Sequence, residues 1–147
     1  MYHLVYSSRA VHPFSKEELI NLLTTSRIAN KKTGITGMLI YMQGKFIQVL
    51  EGDQQKVEAI YKKIQDDPRH KQISKVLVGN SPDRIFNDWS MGFKNLSDLD
   101  FISLSGFKDI DSFFIINPLT EETSMVLVFL KLFYDKNLAD YPEMIQR

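Results

Sequence analysis

Four side chains with polar groups fall on helix and strand faces that the sequence pattern predicts to be buried. They are Tyr6, Ser26, Asn30 and Gln48. Gln48 alternates with Phe46 and Leu50 in a strand pattern, so its amide shares their face. A buried amide without hydrogen-bond partners costs about 1–3 kcal/mol. Either neighbouring protein groups or a ligand must therefore satisfy it.

One pocket between a helix and a sheet would bring these four side chains together. The apolar stripe of a helix packs against the sheet, so the face with Tyr6 and Gln48 can meet the helix end that carries Ser26 and Asn30. A phenol, a hydroxyl and two amides suit a planar heterocycle with several donors and acceptors along one edge. They do not suit hydrolysis, because no carboxylate pair and no Ser/His/Asp arrangement accompanies them.

The helix that would carry Ser26 and Asn30 has clear sequence boundaries. Ser15-Lys16-Glu17-Glu18 is a capping box, which predicts a helix start at Ser15. The apolar stripe begins at Leu19, and the last turns place the two polar residues where apolar ones are expected. Gly34 predicts the end of the helix.

The remaining elements follow in an order that is typical of one fold class. They are a strand at Tyr2–Ser8, a hairpin of strands Ile35–Met42 and Gly44–Gly52 around Gln43-Gly44, a helix capped by Asp53, a strand at Ile73–Val78 and a short edge strand around Trp89. With the first helix this order is β-α-β-β-α-β plus a fifth strand, the ferredoxin-like α+β pattern, a mixed sheet with two helices on one face. Gly37 in a strand interior predicts that something approaches the backbone closely there.

The C-terminal third should supply helices for the other face of the sheet. Ser97 or Asp98 is expected to open a short helical turn, and the acidic pair Glu121-Glu122 to begin a longer helix from about 120 to about 137. The segment Met125–Leu130 is apolar all round. This pattern predicts that one side packs on the sheet and that the other contacts a second chain or a partner.

Composition excludes several function classes. The 18 basic residues balance the 18 acidic ones, which argues against nucleic acid or an anionic membrane as a partner. The chain has no cysteine, and its three histidines lack metal-ligand spacing, so no metal is expected. Met1–Tyr6 does not resemble a signal peptide, and no apolar run approaches the roughly 18 residues of a membrane span. We therefore expect a cytoplasmic protein of one compact unit.

Six short stretches occur in a fixed order over roughly residues 1–95. They are Leu4–Ser8, Ser26–Asn30, Thr33–Leu39, Phe46–Gly52, Asp67–His70 and Trp89–Phe93. Jointly they resemble the BLUF family, the blue-light sensors that bind flavin. The resemblance implies a blue-light photoreceptor that holds FAD, or FMN, non-covalently. It also implies a flavin-binding core at 1–95 and a C-terminal helical extension at 96–147 for output or oligomerisation.

By this resemblance, Tyr6 and Gln48 are the photochemical pair. The Tyr donates an electron to the excited flavin, a proton moves with it, and the Gln exchanges the donor and acceptor ends of its amide. The hydrogen bond to the flavin C4 carbonyl then strengthens, and the absorption shifts to the red.

The resemblance assigns roles to further residues. The expected ring contacts are Ser26, Asn30 and Asp67, and the candidates for the ribityl-phosphate end are Lys31, Lys32, Lys63 and Arg69. Trp89 and Met91 match the switch residues that pass the Gln change to the C-terminal helices. Ala29 departs from the family, which often has Asn or His there, so no contact is expected from that position.

The whole length resembles the short stand-alone members of the family. We therefore expect no enzyme activity, and signalling through protein–protein contact by a homo-oligomer, either a dimer or a larger ring. Two alternatives remain open. One is a ferredoxin-like hydrolase of the acylphosphatase type, for which Arg9 and Asn30 nominally supply an anion loop, although Ser7-Ser8-Arg9-Ala10 lacks a glycine-rich cradle. The other is a flavin-free oligomerising regulatory module.

Overall fold

The computed structural model describes residues 1–93, 107–119 and 124–140. The elements in chain order are β1 (Tyr2–Ala10), α1 (Lys16–Thr33), β2 (Thr36–Met42), β3 (Lys45–Gly52), α2 (Gln54–Gln65), β4 (His70–Asn80), β5 (Trp89–Phe93), β6 (Phe107–Asp109), α3 (Ile110–Ile116) and α4 (Met125–Asp140). The helical turn predicted at Ser97 or Asp98 lies outside the described residues. The predicted start of the tail helix at Glu121-Glu122 lies outside them too.

The sheet is mixed and has the ferredoxin-like order that the sequence predicts. Its strand order is β4-β1-β3-β2-β5-β6. The central strands β1 and β3 are antiparallel, as are β3 and β2, whereas β5 runs parallel to β2. The prediction that β5 is an edge strand is wrong, because β6 pairs with it in parallel on its outer side.

Side-chain alternation along the strands builds one core on each face of the sheet. On one face, Leu4 and Leu50 pack with Leu19 and Leu23 of α1 and with Tyr61 of α2. The opposite face carries its own cluster, in which strand residues meet α3 and α4. Its members include Val5, Met38, Ile40, Val49, Ile110, Phe114, Val126 and Leu130. The C-terminal helices therefore cover the second face, as predicted.

The tail helix α4 is buried along one side only. Val126, Leu130 and Tyr134 are buried, which confirms that one side packs on the sheet. Met125 and Leu132 are more than half exposed. Within the described ranges, no helix combines the length and apolarity needed to cross a membrane.

Two local predictions about α1 and β2 are confirmed. The capping box of α1 is formed on both sides: the Glu18 N–H donates to Ser15 Oγ, and the Ser15 N–H donates to Glu18 Oε1, each at 3.1 Å. Gly37 has a φ of 150°, and a Cβ atom there would lie 1.9 Å from the carbonyl oxygen of Val49. The close approach predicted at Gly37 is therefore the neighbouring strand itself.

Candidate functional site

A cavity of about 420 Å³ lies between the sheet and helices α1 and α2. Most of the residues singled out from the sequence line it. Those residues are Tyr6, Ser26, Asn30, Gln48, Lys63, Asp67, Arg69 and Trp89. The structure thus brings β1, β3 and the last turns of α1 to one place. The stretch between α2 and β4 and the start of β5 add to it.

Tyr6 and Gln48 form a hydrogen bond at the floor of the cavity. They are directly opposite each other in the β1–β3 ladder, and both are at least 95% buried. The Tyr6 hydroxyl donates to Gln48 Oε1 at 2.5 Å. Burial raises the pKa of the Tyr6 phenol well above its usual value, and Tyr61 and Asp67 add to the rise. The phenol therefore holds its proton at neutral pH and presents it to the amide.

Amide groups without protein partners face this site. The side-chain amide of Asn30 is buried and makes no hydrogen bond to any residue that the structure describes. The same holds for the amide nitrogen of Gln48, whose oxygen is held by Tyr6. Buried polar groups of proteins are nearly always hydrogen-bonded. These two amides are therefore suited to satisfying the polar edge of a ligand.

Apolar side chains form the walls of the cavity. They are Phe14, Leu22, Leu39, Phe46, Ile60 and Ile64. Phe14 and Phe46 meet edge to face within this lining, with 5.2 Å between their ring centroids. Apolar walls with a few convergent amides are the lining that a flat aromatic ring with a polar edge requires. An isoalloxazine ring fits this donor set.

A charged pair borders the cavity. Arg69 and Asp67 are joined through three side-chain contacts: Nη2–Oδ2 at 2.6 Å, Nε–Oδ1 at 3.0 Å and Nε–Oδ2 at 3.1 Å. The guanidinium hydrogen bond holds the pKa of the Asp67 carboxyl below its usual range, and Asp67 raises the pKa of Arg69 in turn. Lys63 lines the same border. Among the described residues, two cations and one carboxylate therefore give this rim a net positive charge.

The structure separates the two residues expected to act as switches. Trp89 lines the cavity and is 3% exposed. Met91 lies on the same face of β5 and is fully buried in the core cluster, but it does not line the cavity. The indole nitrogen of Trp89 is buried without a hydrogen-bond partner among the described residues. Of the two, Trp89 is the one placed to contact a ligand.

Lys31 is not brought to the cavity. It lines a separate groove of about 480 Å³ with Arg27, Arg84 and Asp88. Successive residues of a helix point about 100° apart, so the residue after Asn30 faces around the side of α1. Lys32 does not line the cavity either. Of the cations expected at the phosphate end, the cavity has Lys63 and Arg69.

Sequence reasoning missed the contribution of His70, which it named only within the stretch Asp67–His70 and as one of three histidines without metal-ligand spacing. The ring lines the cavity and is half-buried, with Nδ1 at 3.0 Å from Ser8 Oγ and Nε2 bonded to the carbonyl of Ile64. Its centroid lies 6.5 Å from that of Tyr6. The signal that could have found it is its position directly after the Asp67–Arg69 motif. No cluster of metal-binding side chains occurs in the described part of the chain.

Comparison with known proteins gives a family match over most of the sheet and its two helices. Residues 1–92 match the family described as "BLUF: Sensors of blue-light using FAD". Among curated proteins, the chain is 36% identical over 83 residues to the photoactivated adenylate cyclase subunit alpha of Euglena gracilis. That alignment covers 56% of this chain and 8% of the cyclase subunit. The chain therefore spans less than a tenth of the length of this curated relative.

Solved structures similar to this chain fall into two groups by length. A structure described as the photo-activated state of BlsA has a TM-score of 0.61 and 26% identity, and the match covers 93% of this chain and 94% of that one. A bacterial light-regulated adenylyl cyclase also has a TM-score of 0.61, with 27% identity, and covers 99% of this chain but 36% of the cyclase. Klebsiella pneumoniae BlrP1, solved with FMN and cyclic diGMP, has a TM-score of 0.57 and 31% identity, covering 61% of this chain and 24% of BlrP1.

Proposed function

The chain belongs to the BLUF family of blue-light sensors that use FAD, and on that premise we propose how its own residues carry out the light response. The cofactor is a flavin held non-covalently in the cavity between α1, α2 and the sheet. When bound, it absorbs blue light and becomes an electron acceptor in its excited state.

Ring binding falls to the groups that converge in the cavity. Asn30 and Gln48 supply the amides for the polar edge, and Ser26 supplies a hydroxyl. The apolar walls hold the faces of the ring and exclude water. Lys63 and Arg69 are the cations for the phosphate end. Asp67 can contact the ring only if its carboxylate accepts a hydrogen bond from the ring in addition to those from Arg69. The unpartnered amide of Asn30 is the observation that supports this assignment best.

The photochemical step begins at Tyr6. Its phenol gives up an electron and, once oxidised, becomes a strong acid. The only hydrogen bond of its hydroxyl to the described residues runs to Gln48 Oε1, at 2.5 Å, so the proton has a direct acceptor. The phenol starts in the protonated state because burial raises its pKa. Electron and proton therefore leave Tyr6 together.

Gln48 changes its hydrogen bonding in response to this transfer. An amide that accepts a proton at its oxygen can rotate or tautomerise, and either change exchanges its donor and acceptor ends. The hydrogen bond that Gln48 gives to the ring edge then changes, which is what a red shift of the bound chromophore would report. Trp89, at the same cavity, is the neighbour that responds to the new amide orientation.

We test this pair with two variants under illumination. Gln48→Leu and Tyr6→Phe should both bind flavin, because the cavity walls and Asn30 are unchanged. Each should lose the light-induced red shift. Gln48→Leu has no amide to rearrange, and Tyr6→Phe has no hydroxyl proton to transfer. Tyr61→Phe, which removes a neighbouring phenol at 5.5 Å from the Tyr6 ring, is the matched control and should keep the shift. A normal red shift in either site variant would refute the assignment.

The signal is proposed to leave through protein–protein contact and not through an enzyme reaction of this chain. The cyclase activity named for the relatives is a property of those longer proteins. On this proposal residues 1–95 form the flavin-binding core, and 96–147 the output and oligomerisation extension. Its support is the apolar exposure of the C-terminal helices, where Ile115 and Ile116 are 78% and 77% exposed.

We propose a second copy of this chain as the occupant of that surface. The experiment is light scattering in dark and light for Ile116→Glu, with Ile28→Glu on α1 as the control at an exposed isoleucine away from α3 and α4. Association should weaken in the first variant only, and illumination should change it in the unmodified protein. Equal mass in dark and light, and in both variants, would contradict the proposal.

A further inference from the structure

The connection from β4 to β5 crosses the end of the sheet without secondary structure of its own. It leaves the outer strand β4 and must pass the ends of β1, β3 and β2 before β5 begins. We call residues 81–88 the crossover. At its start the Ser81 N–H donates to the carbonyl of Met1 at 2.8 Å, and at its end the Gly37 N–H donates to the carbonyl of Asp88 at 3.0 Å. Its middle needs other partners for its backbone groups.

Glu51 supplies those partners from the end of β3. Glu51 is 1% exposed, and its carboxylate accepts three hydrogen bonds from described residues. The Phe86 N–H donates to Oε1 at 2.6 Å, the Ile85 N–H donates to Oε2 at 3.0 Å, and the Thr36 hydroxyl donates to Oε1 at 2.9 Å. A buried carboxylate is costly unless such bonds compensate it. Both of its oxygens are therefore engaged in holding the crossover.

Arg84 strengthens the same attachment from the side of the crossover. Its guanidinium donates to Thr36 Oγ1 at 2.8 Å and to the carbonyl of Gly34 at 2.9 Å. It also donates to the backbone carbonyl of Glu51 at 3.4 Å. The Thr36 hydroxyl thus accepts from Arg84 and donates to Glu51, which joins the crossover, β2 and β3 in one network.

The crossover and the first residue of β5, which directly follows it, carry two aromatic side chains that reach different faces of the sheet. Phe86 is buried and stacks on Phe113 of α3, with 6.2 Å between centroids and 13° between planes. Trp89 follows three residues later and lines the cavity. The position of this short segment therefore sets both the cavity wall and a contact to the C-terminal helices.

We propose that Glu51 is a positioning residue for the light response, which acts by seating the crossover and with it Trp89 and Phe86. Glu51 lies on the same strand as Gln48, three residues further on, and its side chain belongs to the opposite face. It touches neither the cavity nor the residues of the photochemical pair. The consequence for signalling rests on the proposed function, whereas the seating itself does not.

The chain offers a clean probe of this seating, because Trp89 is its single tryptophan. The test variant is Glu51→Gln in the flavin-loaded full chain. Its amide can accept from only one of the two backbone N–H groups and turns a donor toward the other. The loss of one typical hydrogen bond changes the opening equilibrium of the segment about fivefold. Amide hydrogen exchange in the peptide that covers 81–89 should therefore become about fivefold faster.

Two further readouts separate positioning from mere stability. Acrylamide should quench Trp89 fluorescence more strongly in Glu51→Gln, and the rate of dark recovery after illumination should change. Glu58→Gln makes the same chemical change at an exposed position of α2 and should leave all three readouts unaltered. Thr36→Val, which removes one hydroxyl from the network, should move them in the same direction by less and remains available if Glu51→Gln does not fold.

Each outcome decides the proposal. Exchange and quenching equal to those of Glu58→Gln would overturn the seating role. Faster exchange with unchanged quenching and dark recovery would make Glu51 a purely structural residue and would also overturn it. If the unmodified protein shows no light response, the proposed function fails, and the exchange and quenching data alone still establish or reject the seating of Trp89.

Discussion

The hydrogen bond between Tyr6 and Gln48 permits a prediction about stability that needs no light. Tyr6→Phe removes the hydroxyl that donates to Gln48 Oε1 and leaves that oxygen buried without a donor. Gln48→Leu leaves the Tyr6 hydroxyl buried without an acceptor. Each single change should therefore lower the free energy of unfolding by about 1–3 kcal/mol. Since a domain of this size has roughly 5–15 kcal/mol of stability, both variants should still fold.

The double variant distinguishes a real pair from two independent side chains. Replacing both partners by apolar groups leaves nothing unsatisfied, so Tyr6→Phe/Gln48→Leu should cost little more than either single change. The coupling free energy of the cycle should then be about 1–3 kcal/mol. At roughly 2–4 °C of melting temperature per kcal/mol, the effect is measurable by heat as well as by urea.

Urea unfolding of the four proteins at a fixed excess of flavin provides the assay. The flavin dissociation constant of each variant must be measured as well, so that the stabilisation by ligand binding can be subtracted. Tyr61→Phe combined with Gln48→Leu is the matched control, because Tyr61 contacts the Tyr6 ring but has no hydrogen bond to Gln48 in the described structure. Its coupling should stay below about 0.5 kcal/mol. Strict additivity of Tyr6→Phe and Gln48→Leu would refute the pairing on which the mechanism depends.

Three other predictions address the cofactor site, the sheet and the charged rim. Asn30→Ala should weaken flavin binding about tenfold, which corresponds to roughly 1.4 kcal/mol, because it removes a buried amide that has no other described partner. A fluorescence titration would measure the two affinities, with Thr24→Ala as the control at an exposed position of the same helix. Equal affinities of Asn30→Ala and Thr24→Ala would contradict the prediction. Gly37→Ala should destabilise the protein by more than about 3 kcal/mol, because its Cβ would collide with the Val49 carbonyl. The control Gly44→Ala meets no atom within 4 Å and should cost only about 1–2 kcal/mol, for its positive φ. Equal urea midpoints of the two variants would exclude the close strand contact. Since Arg69 lowers the pKa of folded Asp67, this pair stabilises the fold above the unfolded Asp pKa of about 3.9 and loses its effect as the pH falls through the folded pKa. The difference in unfolding free energy between the unmodified protein and Asp67→Asn should therefore vanish in acid. A difference that grows in acid would show that the pKa of Asp67 is raised and not lowered.

Much of the fold and the centre of the site were predictable because local chemistry determines them. The capping box at Ser15, the polar end of the stripe on α1 and the two-residue period around Gln48 each have a short-range cause. An amide between Phe46 and Leu50 is costly in any core, so it pointed to a partner before the fold was known. The structure supplies that partner in Tyr6, directly across the ladder.

Other features depend on contacts between distant parts of the chain and left no local signal. Pairing of His70 with Ala10 brings the start of β4 beside β1, which places an imidazole at the cavity. The β6 strand that covers β5 has only three residues, and its pattern is too short to predict. The attachment of Ile85 and Phe86 to Glu51 joins residues more than 30 positions apart. Lys31 was expected at the phosphate end with the other basic residues, but helical rotation after Asn30 turns it into another groove.

The most direct test of the proposed photochemistry of Tyr6 and Gln48 is a difference spectrum: the absorption of the flavin-loaded protein under blue light minus its absorption in the dark. We expect a flavin spectrum in the dark, a shift of the main band to longer wavelength on illumination, and a full return in darkness, because no covalent bond forms between the protein and the flavin. A protein that binds flavin and shows no shift, or one that bleaches irreversibly, would contradict the proposed photochemistry.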